Sequence, residues 1–137
     1  MAANTLPIFS KRGEINWTNG ITAANTAKDG TGTVDTVFTA DATEGSYIER
    51  LIVRPRGTNV VSVLRVFVNN GSTNATAANN CLIAELTLPA TTNSEIAAIS
   101  GLVVPLNMSL PAGYKINVTI GTAVAGGYAV TGIGGDY

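Results

Sequence analysis

Apolar and polar residues alternate along several short runs of this chain, as in β-strands that bury one face. In the clearest run, 114–120, Ile116, Val118 and Ile120 share one face, and the polar residues between them are expected to face solvent. Further strand candidates are the runs 33–39, 81–88, 102–106 and 128–133. Pro105 indicates that its run lies at the edge of a sheet, because proline cannot donate a ladder hydrogen bond.

The longest β-rich stretch extends from Tyr47 to Asn70 and consists of two apolar runs. Pro55 and the turn-forming residues 56–59 separate the two runs, and this composition is typical of a chain reversal. The stretch therefore predicts a β-hairpin. Arginines stand among the apolar residues of both runs, so we expect the second face of this hairpin to be able to contact another chain.

About eight short strands with turn-rich connections, and no amphipathic helix of ordinary length, predict an all-β fold. Our first choice is an antiparallel β-sandwich of the eight-stranded jelly-roll type, and an immunoglobulin-like sandwich is the second. We assign residues 1–13 to an extended N-terminal arm, because Pro7 disfavours a helix there and no hydrophobic period appears. Residues 14–137 form the single β-sandwich domain.

Charge and hydropathy limit the classes of partner. Charged residues make up 12% of the chain and its net charge is −1, so we expect no direct binding to nucleic acid or to an anionic membrane. We find neither a secretion signal nor an apolar run long enough to cross a bilayer, and we expect synthesis in the cytoplasm.

The chain contains few residues suited to catalysis or to metal binding. The chain has no histidine, which removes the commonest general base and metal ligand, and its nine carboxylates are scattered over loops and outward positions. Cys81 is the single cysteine, and we expect it to be a small buried residue rather than a nucleophile. We therefore expect no enzymatic activity, no cofactor and no bound metal.

Four runs resemble stretches of small structural proteins from tailed bacteriophages. They are NTAKDGTGT at 25–33, RVFVNNGSTNATAANN at 65–80, LPAGYKINVTIGT at 110–122 and GIGGDY at 132–137. Among such proteins, the chain most resembles the cement, or decoration, proteins on the capsids of short-tailed phages. The resemblance implies a jelly roll, often a homodimer, that binds the outer surface of the virion capsid and bridges neighbouring subunits of the major capsid protein.

On this reading, apolar residues of the arm and Trp17 anchor the protein, and arginines pair with carboxylates of the shell or of a dimer mate. The candidate partner-binding residues are Leu6, Ile8, Phe9, Lys11, Arg12, Trp17, Arg50, Arg54, Arg56 and Arg65. Two alternatives remain open: a glycan-binding module of a phage tail or fibre, and a component of the head-to-tail connector.

Overall fold

The computed structural model describes residues 10–137, which form eight β-strands in two sheets. The strands are β1 (Arg12–Ile21), β2 (Asp35–Thr39), β3 (Ser46–Pro55), β4 (Ser62–Asn69), β5 (Asn80–Leu88), β6 (Leu102–Leu110), β7 (Lys115–Ile120) and β8 (Tyr128–Asp136). One short 3₁₀ turn, Ala77–Asn79, precedes β5.

The strand order is that of a jelly roll. Sheet A has the order β1-β8-β3-β6 and sheet B the order β2-β7-β4-β5, and every ladder is antiparallel. In sequence, each antiparallel pair therefore encloses the next, as in a long hairpin rolled into a barrel. The pairs, from the outermost to the innermost, are β1–β8, β2–β7, β3–β6 and β4–β5. The predicted antiparallel sandwich is confirmed, and β6 is an edge strand, as Pro105 indicated.

The predicted hairpin between residues 47 and 70 is wrong. β3 belongs to sheet A, where it pairs with β6 and β8, and β4 belongs to sheet B, where it pairs with β5 and β7. The connection of residues 56–61 thus crosses from one sheet to the other. Local turn signals are the same for a hairpin and for a corner between sheets, so the sequence pattern could not distinguish the two.

The core lies between the sheets and is built from the inward positions of both. Phe38 and Tyr128 are its largest buried side chains, and Leu51 and Leu64 are buried completely. Full burial of an aliphatic side chain of this size stabilises a fold by about 1.5–3 kcal/mol. The alternation in 114–120 correctly identified Ile116, Val118 and Ile120 as core residues, and all three are completely buried.

The outer face of sheet B is not the solvent-exposed face that the alternation predicted. Asn117 and Thr119 are buried, and so is Phe67. The loop 22–34 is tied to both ends of this face: near one end the Asn25 N–H donates to the Ile120 carbonyl, and near the other Asn80 donates to the Asp29 carbonyl. A polar β-strand face therefore became interior because a distant loop packs over it.

Close packing of β8 against β3 depends on Gly134. A Cβ at this position would collide with the carbonyl oxygen of Tyr47 and lie 3.0 Å from the Cα of Ile48. Gly13, at the start of β1, has no atom within 4 Å of the corresponding point. The two glycines therefore differ in what they contribute: the first permits a close backbone approach and the second does not.

Candidate functional site

An apolar row crosses all four strands on the outer face of sheet A. The register sets Trp17 beside Thr131, Thr131 beside Ile52, and Ile52 beside Val103. Side chains of directly paired residues project from the same face of a sheet, so the four form one continuous row. Trp17 is 66% exposed and Val103 is also exposed, which leaves both ends of the row open to solvent.

Two further rows flank it. One contains Ile15, Ile133, Arg50 and Pro105, and Ile15 is again exposed. The other joins β1, β8 and β3 through Asn19, Ala129 and Arg54. We call these three rows the sheet A face: Ile15, Trp17, Asn19, Arg50, Ile52, Arg54, Val103, Pro105, Ala129, Thr131 and Ile133. It measures about 14 Å across the strands and about 13 Å along them between its outermost Cα atoms.

Arginines give this face a positive charge. Arg50 Nη1 lies 3.2 Å from Glu49 Oε1, and both side chains are about half exposed, so the pair contributes little and leaves the guanidinium accessible. Arg56 Nη1 donates to the Asn19 carbonyl at 3.3 Å, at the edge of the face. In the part of the chain that the structure describes, neither Arg54 nor Arg56 forms an ion pair.

Arg65 does not join the other three arginines. It lies on the outer side of sheet B, where its Nε donates to Glu85 Oε1 at 2.9 Å, and its side chain is largely buried. Glu85 is its direct cross-strand neighbour on β5. The four arginines grouped by sequence therefore separate onto opposite sides of the sandwich, because β3 and β4 belong to different sheets.

Lys11 and Arg12 connect the start of β1 to the rest of the domain. The Lys11 N–H donates to the Asp136 carbonyl at 2.7 Å. Arg12 Nη2 lies 3.1 Å from Asp136 Oδ2 and 3.4 Å from Asp41 Oδ1. β1 begins two residues before the predicted domain boundary at 14, and the predicted anchors Leu6, Ile8 and Phe9 lie outside the described residues.

A carboxyl pair lies next to this junction. Burial, together with a hydrogen bond to Asp136, raises the pKa of Glu14 to about 7. The hydrogen bond from Glu14 and those from Ser46 and Arg12 lower the pKa of Asp136 below its usual value. At neutral pH Glu14 is therefore about half protonated, whereas Asp136 carries a negative charge. The pair connects β1 to β8, and Glu14 projects from the opposite side of the sheet to its neighbour Ile15 of the sheet A face.

The expectation that Cys81 is buried is wrong. It lies near the start of β5, an edge strand, and its side chain is exposed. Within residues 10–137, no three histidine, cysteine, aspartate or glutamate side chains are grouped so that they could hold a metal ion. No helix of the described chain is long and apolar enough to span a membrane.

The sheet A face has the composition of a surface that binds another macromolecule: an aromatic and aliphatic centre with arginines beside it. Sequence reasoning singled out Trp17, Arg50 and Arg54, and the structure brings these three together. It missed Ile15, Ile52 and Val103, which only the strand order sets beside them. Comparison of the chain with protein-family models, with curated proteins and with solved structures found no match.

Proposed function

We propose that this protein is a structural virion protein that binds the outer surface of a bacteriophage capsid and bridges neighbouring subunits of the major capsid protein. The observation that carries the proposal is the sheet A face, an exposed apolar surface with accessible arginines. The jelly-roll fold and the four sequence runs that resemble cement proteins support it. On the shell, the matching surface is apolar with carboxylates at its edge, so that charges of opposite sign meet.

Trp17 is the anchor of this interface. A tryptophan buries about 150–250 Å², and Trp17 is 66% exposed. About 130 Å² of apolar surface is therefore available for burial, which corresponds to about 3 kcal/mol or roughly a hundredfold in affinity. Aromatic and arginine side chains are the usual hot spots of protein interfaces, so Arg50 and Arg54 are the next contributors.

The test is to mix purified protein with capsids that lack it, to measure occupancy after pelleting, and to melt the recovered particles. We expect saturable binding and a higher melting temperature of the particle. Trp17→Ala should weaken binding about ten- to hundredfold. Ile96→Ala is the matched control, because Ile96 is 98% exposed but lies outside the sheet A face, and it should bind as the wild type does. If Trp17→Ala occupies the capsids as fully as the wild-type protein does, the sheet A face is not the capsid-binding surface.

The N-terminal arm is a second, separable contribution. Deleting residues 2–9 keeps Lys11 and Arg12, whose contacts with Asp136 belong to the fold. If Leu6, Ile8 and Phe9 anchor the protein, the deletion lowers occupancy without changing the melting temperature of the isolated protein. Full occupancy of the capsid by the truncated protein would show that the β-sandwich domain alone binds the capsid. Sedimentation of the free protein tests the homodimer that we also propose.

If the protein does not bind capsids but binds to glycans on an array, it is instead a glycan-binding module. Trp17 is then the side chain to replace first, because an exposed aromatic ring is the natural platform for a sugar.

A further inference from the structure

The chain contains two asparagines that are followed directly by glycine, Asn19-Gly20 and Asn70-Gly71. Such a pair is chemically labile, because the backbone nitrogen of the glycine can attack the side-chain amide of the asparagine and no Cβ hinders the approach. In a folded protein, the local structure decides whether the attack takes place. The two pairs have the same intrinsic chemistry, so their surroundings can be compared directly.

The second pair is held in place by its own loop. The Gly71 N–H, whose nitrogen would be the nucleophile, donates to Asn69 Oδ1 at 2.8 Å. The Asn70 side chain is bound at both ends: its Oδ1 accepts from the Ser72 N–H at 3.1 Å, and its Nδ2 donates to Asn79 Oδ1 at 3.2 Å. Because the attack would have to break these bonds, we expect the fold to protect Asn70.

The first pair lies at an irregularity of β1. Asn19 is exposed, and its side chain forms no hydrogen bond within residues 10–137. The register pairs Asn19 with Ala129 and Ile21 with Tyr128, so Gly20 is the extra residue of a β-bulge. Its φ of +115° is a conformation that glycine adopts readily. The side-chain amide of Asn19 is therefore accessible next to a backbone that departs from the regular ladder.

Arg56 lies against the peptide unit that joins the two residues. Its Nη1 donates to the Asn19 carbonyl at 3.3 Å, and a Cβ at Gly20 would lie 2.8 Å from the same nitrogen. When the Gly20 nitrogen loses its proton, the negative charge is shared with the Asn19 carbonyl oxygen. A hydrogen bond from a guanidinium to that oxygen stabilises the charged form. Arg56 therefore favours the reactive state of this nitrogen.

We propose that Asn19 is a site of spontaneous deamidation, and that Arg56 promotes the reaction. The Gly20 nitrogen gives its proton to hydroxide and attacks Asn19 Cγ. A new C–N bond forms, the bond from Cγ to Nδ2 breaks, and Nδ2 leaves as ammonia with protons from water. Water then adds to one of the two carbonyl carbons of the cyclic succinimide and opens it, which yields aspartate or isoaspartate. Nothing is oxidised or reduced.

The product changes the charge of the sheet A face. Asn19 lies in one row with Ala129 and Arg54, and its carbonyl already binds Arg56. A carboxylate at this position offsets part of the positive charge of the two arginines. Capsid binding should therefore weaken as the protein ages. This consequence rests on the proposed function, whereas the deamidation itself does not.

The experiment is to incubate the purified protein at mildly alkaline pH and to follow its peptides by mass spectrometry. We expect the mass gain of an exchange of NH₂ for OH in the peptide that contains Asn19, with aspartate and isoaspartate as products, and little change at Asn70. In the chain unfolded by guanidinium chloride, both asparagines should react at similar rates. Equal reaction of the two asparagines in the folded protein, or no reaction at Asn19 while the unfolded chain reacts, would overturn the proposal.

Two variants test the contribution of the guanidinium. Arg56→Gln should slow the reaction at Asn19 about tenfold, because it removes a hydrogen bond from a charged group. The Arg56 side chain is exposed, so we expect this variant to fold. Lys28→Gln is the control, since it removes a positive charge from an exposed position in the loop 22–34, and its rate should equal that of the wild type. An unchanged rate in Arg56→Gln would refute the role of Arg56.

Asn19→Asp carries the charge of the product and tests the consequence for the sheet A face. We expect it to bind capsids about two- to fivefold more weakly than the wild type, as is usual for the change of one surface charge pair. If the wild type binds capsids and Asn19→Asp binds equally tightly, deamidation does not regulate the face. If the wild type itself does not bind, the proposed function is wrong, and the mass measurements still decide whether Asn19 is modified.

Discussion

Replacing Asn59 by alanine is expected to destabilise the domain strongly, because this side chain joins two connections between the sheets. Asn59 lies in the β3–β4 connection and is only 3% exposed. Its Oδ1 accepts hydrogen bonds from the N–H groups of Gly126 and Gly127, at 2.8 and 2.9 Å, and its Nδ2 donates to the Gly127 carbonyl at 3.2 Å. All three bonds disappear in Asn59→Ala, and both glycines precede β8.

The expected loss is about 2–4 kcal/mol, since each buried N–H left without a partner costs about 1–3 kcal/mol. Gly127 is buried whereas Gly126 is partly accessible, so water can replace the bond to Gly126 more easily. Domains of this size are stable by about 5–15 kcal/mol in total. A loss of this size corresponds to a decrease in melting temperature of roughly 10 °C.

Denaturant unfolding followed by far-ultraviolet circular dichroism measures this loss directly. Asn59→Asp keeps an acceptor for both glycine N–H groups and should lose less stability than Asn59→Ala. Asn70→Ala is the matched control: Asn70 is exposed, and its side chain bonds only within its own loop, to Asn79 and to the N–H of Ser72. A surface substitution of this kind typically changes stability by less than about 0.5 kcal/mol. A loss in Asn59→Ala as small as in Asn70→Ala would refute the reasoning.

Three further outcomes are expected. The pKa of Glu14 is about 7 in the folded protein and near 4.5 in the unfolded chain, so the free energy of unfolding decreases as pH rises between these values. Thermal melts over this pH range should show the decrease, and Glu14→Gln should make it smaller. Gly134→Ala should lower the melting temperature far more than Gly13→Ala, since only the first glycine lacks room for a Cβ; equal losses would contradict the close approach of β8 to β3. The Cys81 thiol should react with Ellman's reagent in the native protein, because it is exposed; reaction only after unfolding would show that it is buried.

Several features followed from the sequence alone. Alternating residues identified the strand in 81–88, and the observed β5 begins one residue earlier. The alternation in 114–120 selected the right core residues, and Pro105 identified an edge strand. These are local properties: side chains alternate with a period of two, and proline lacks an N–H wherever it stands. The all-β class and the sandwich follow from them.

Only the tertiary structure decided which strands are neighbours. β3 and β4 are adjacent in sequence yet lie in opposite sheets, which separates Arg65 from Arg50 and Arg54. The loop 22–34 turned the polar side of β7 into an interior surface, although Asn117 and Thr119 are polar. The sheet A face combines residues from the first strand and the last, and nothing near Trp17 in the sequence indicates that Val103 shares its row. Local patterns specify how a strand presents its side chains, whereas pairing depends on packing between segments far apart in the chain.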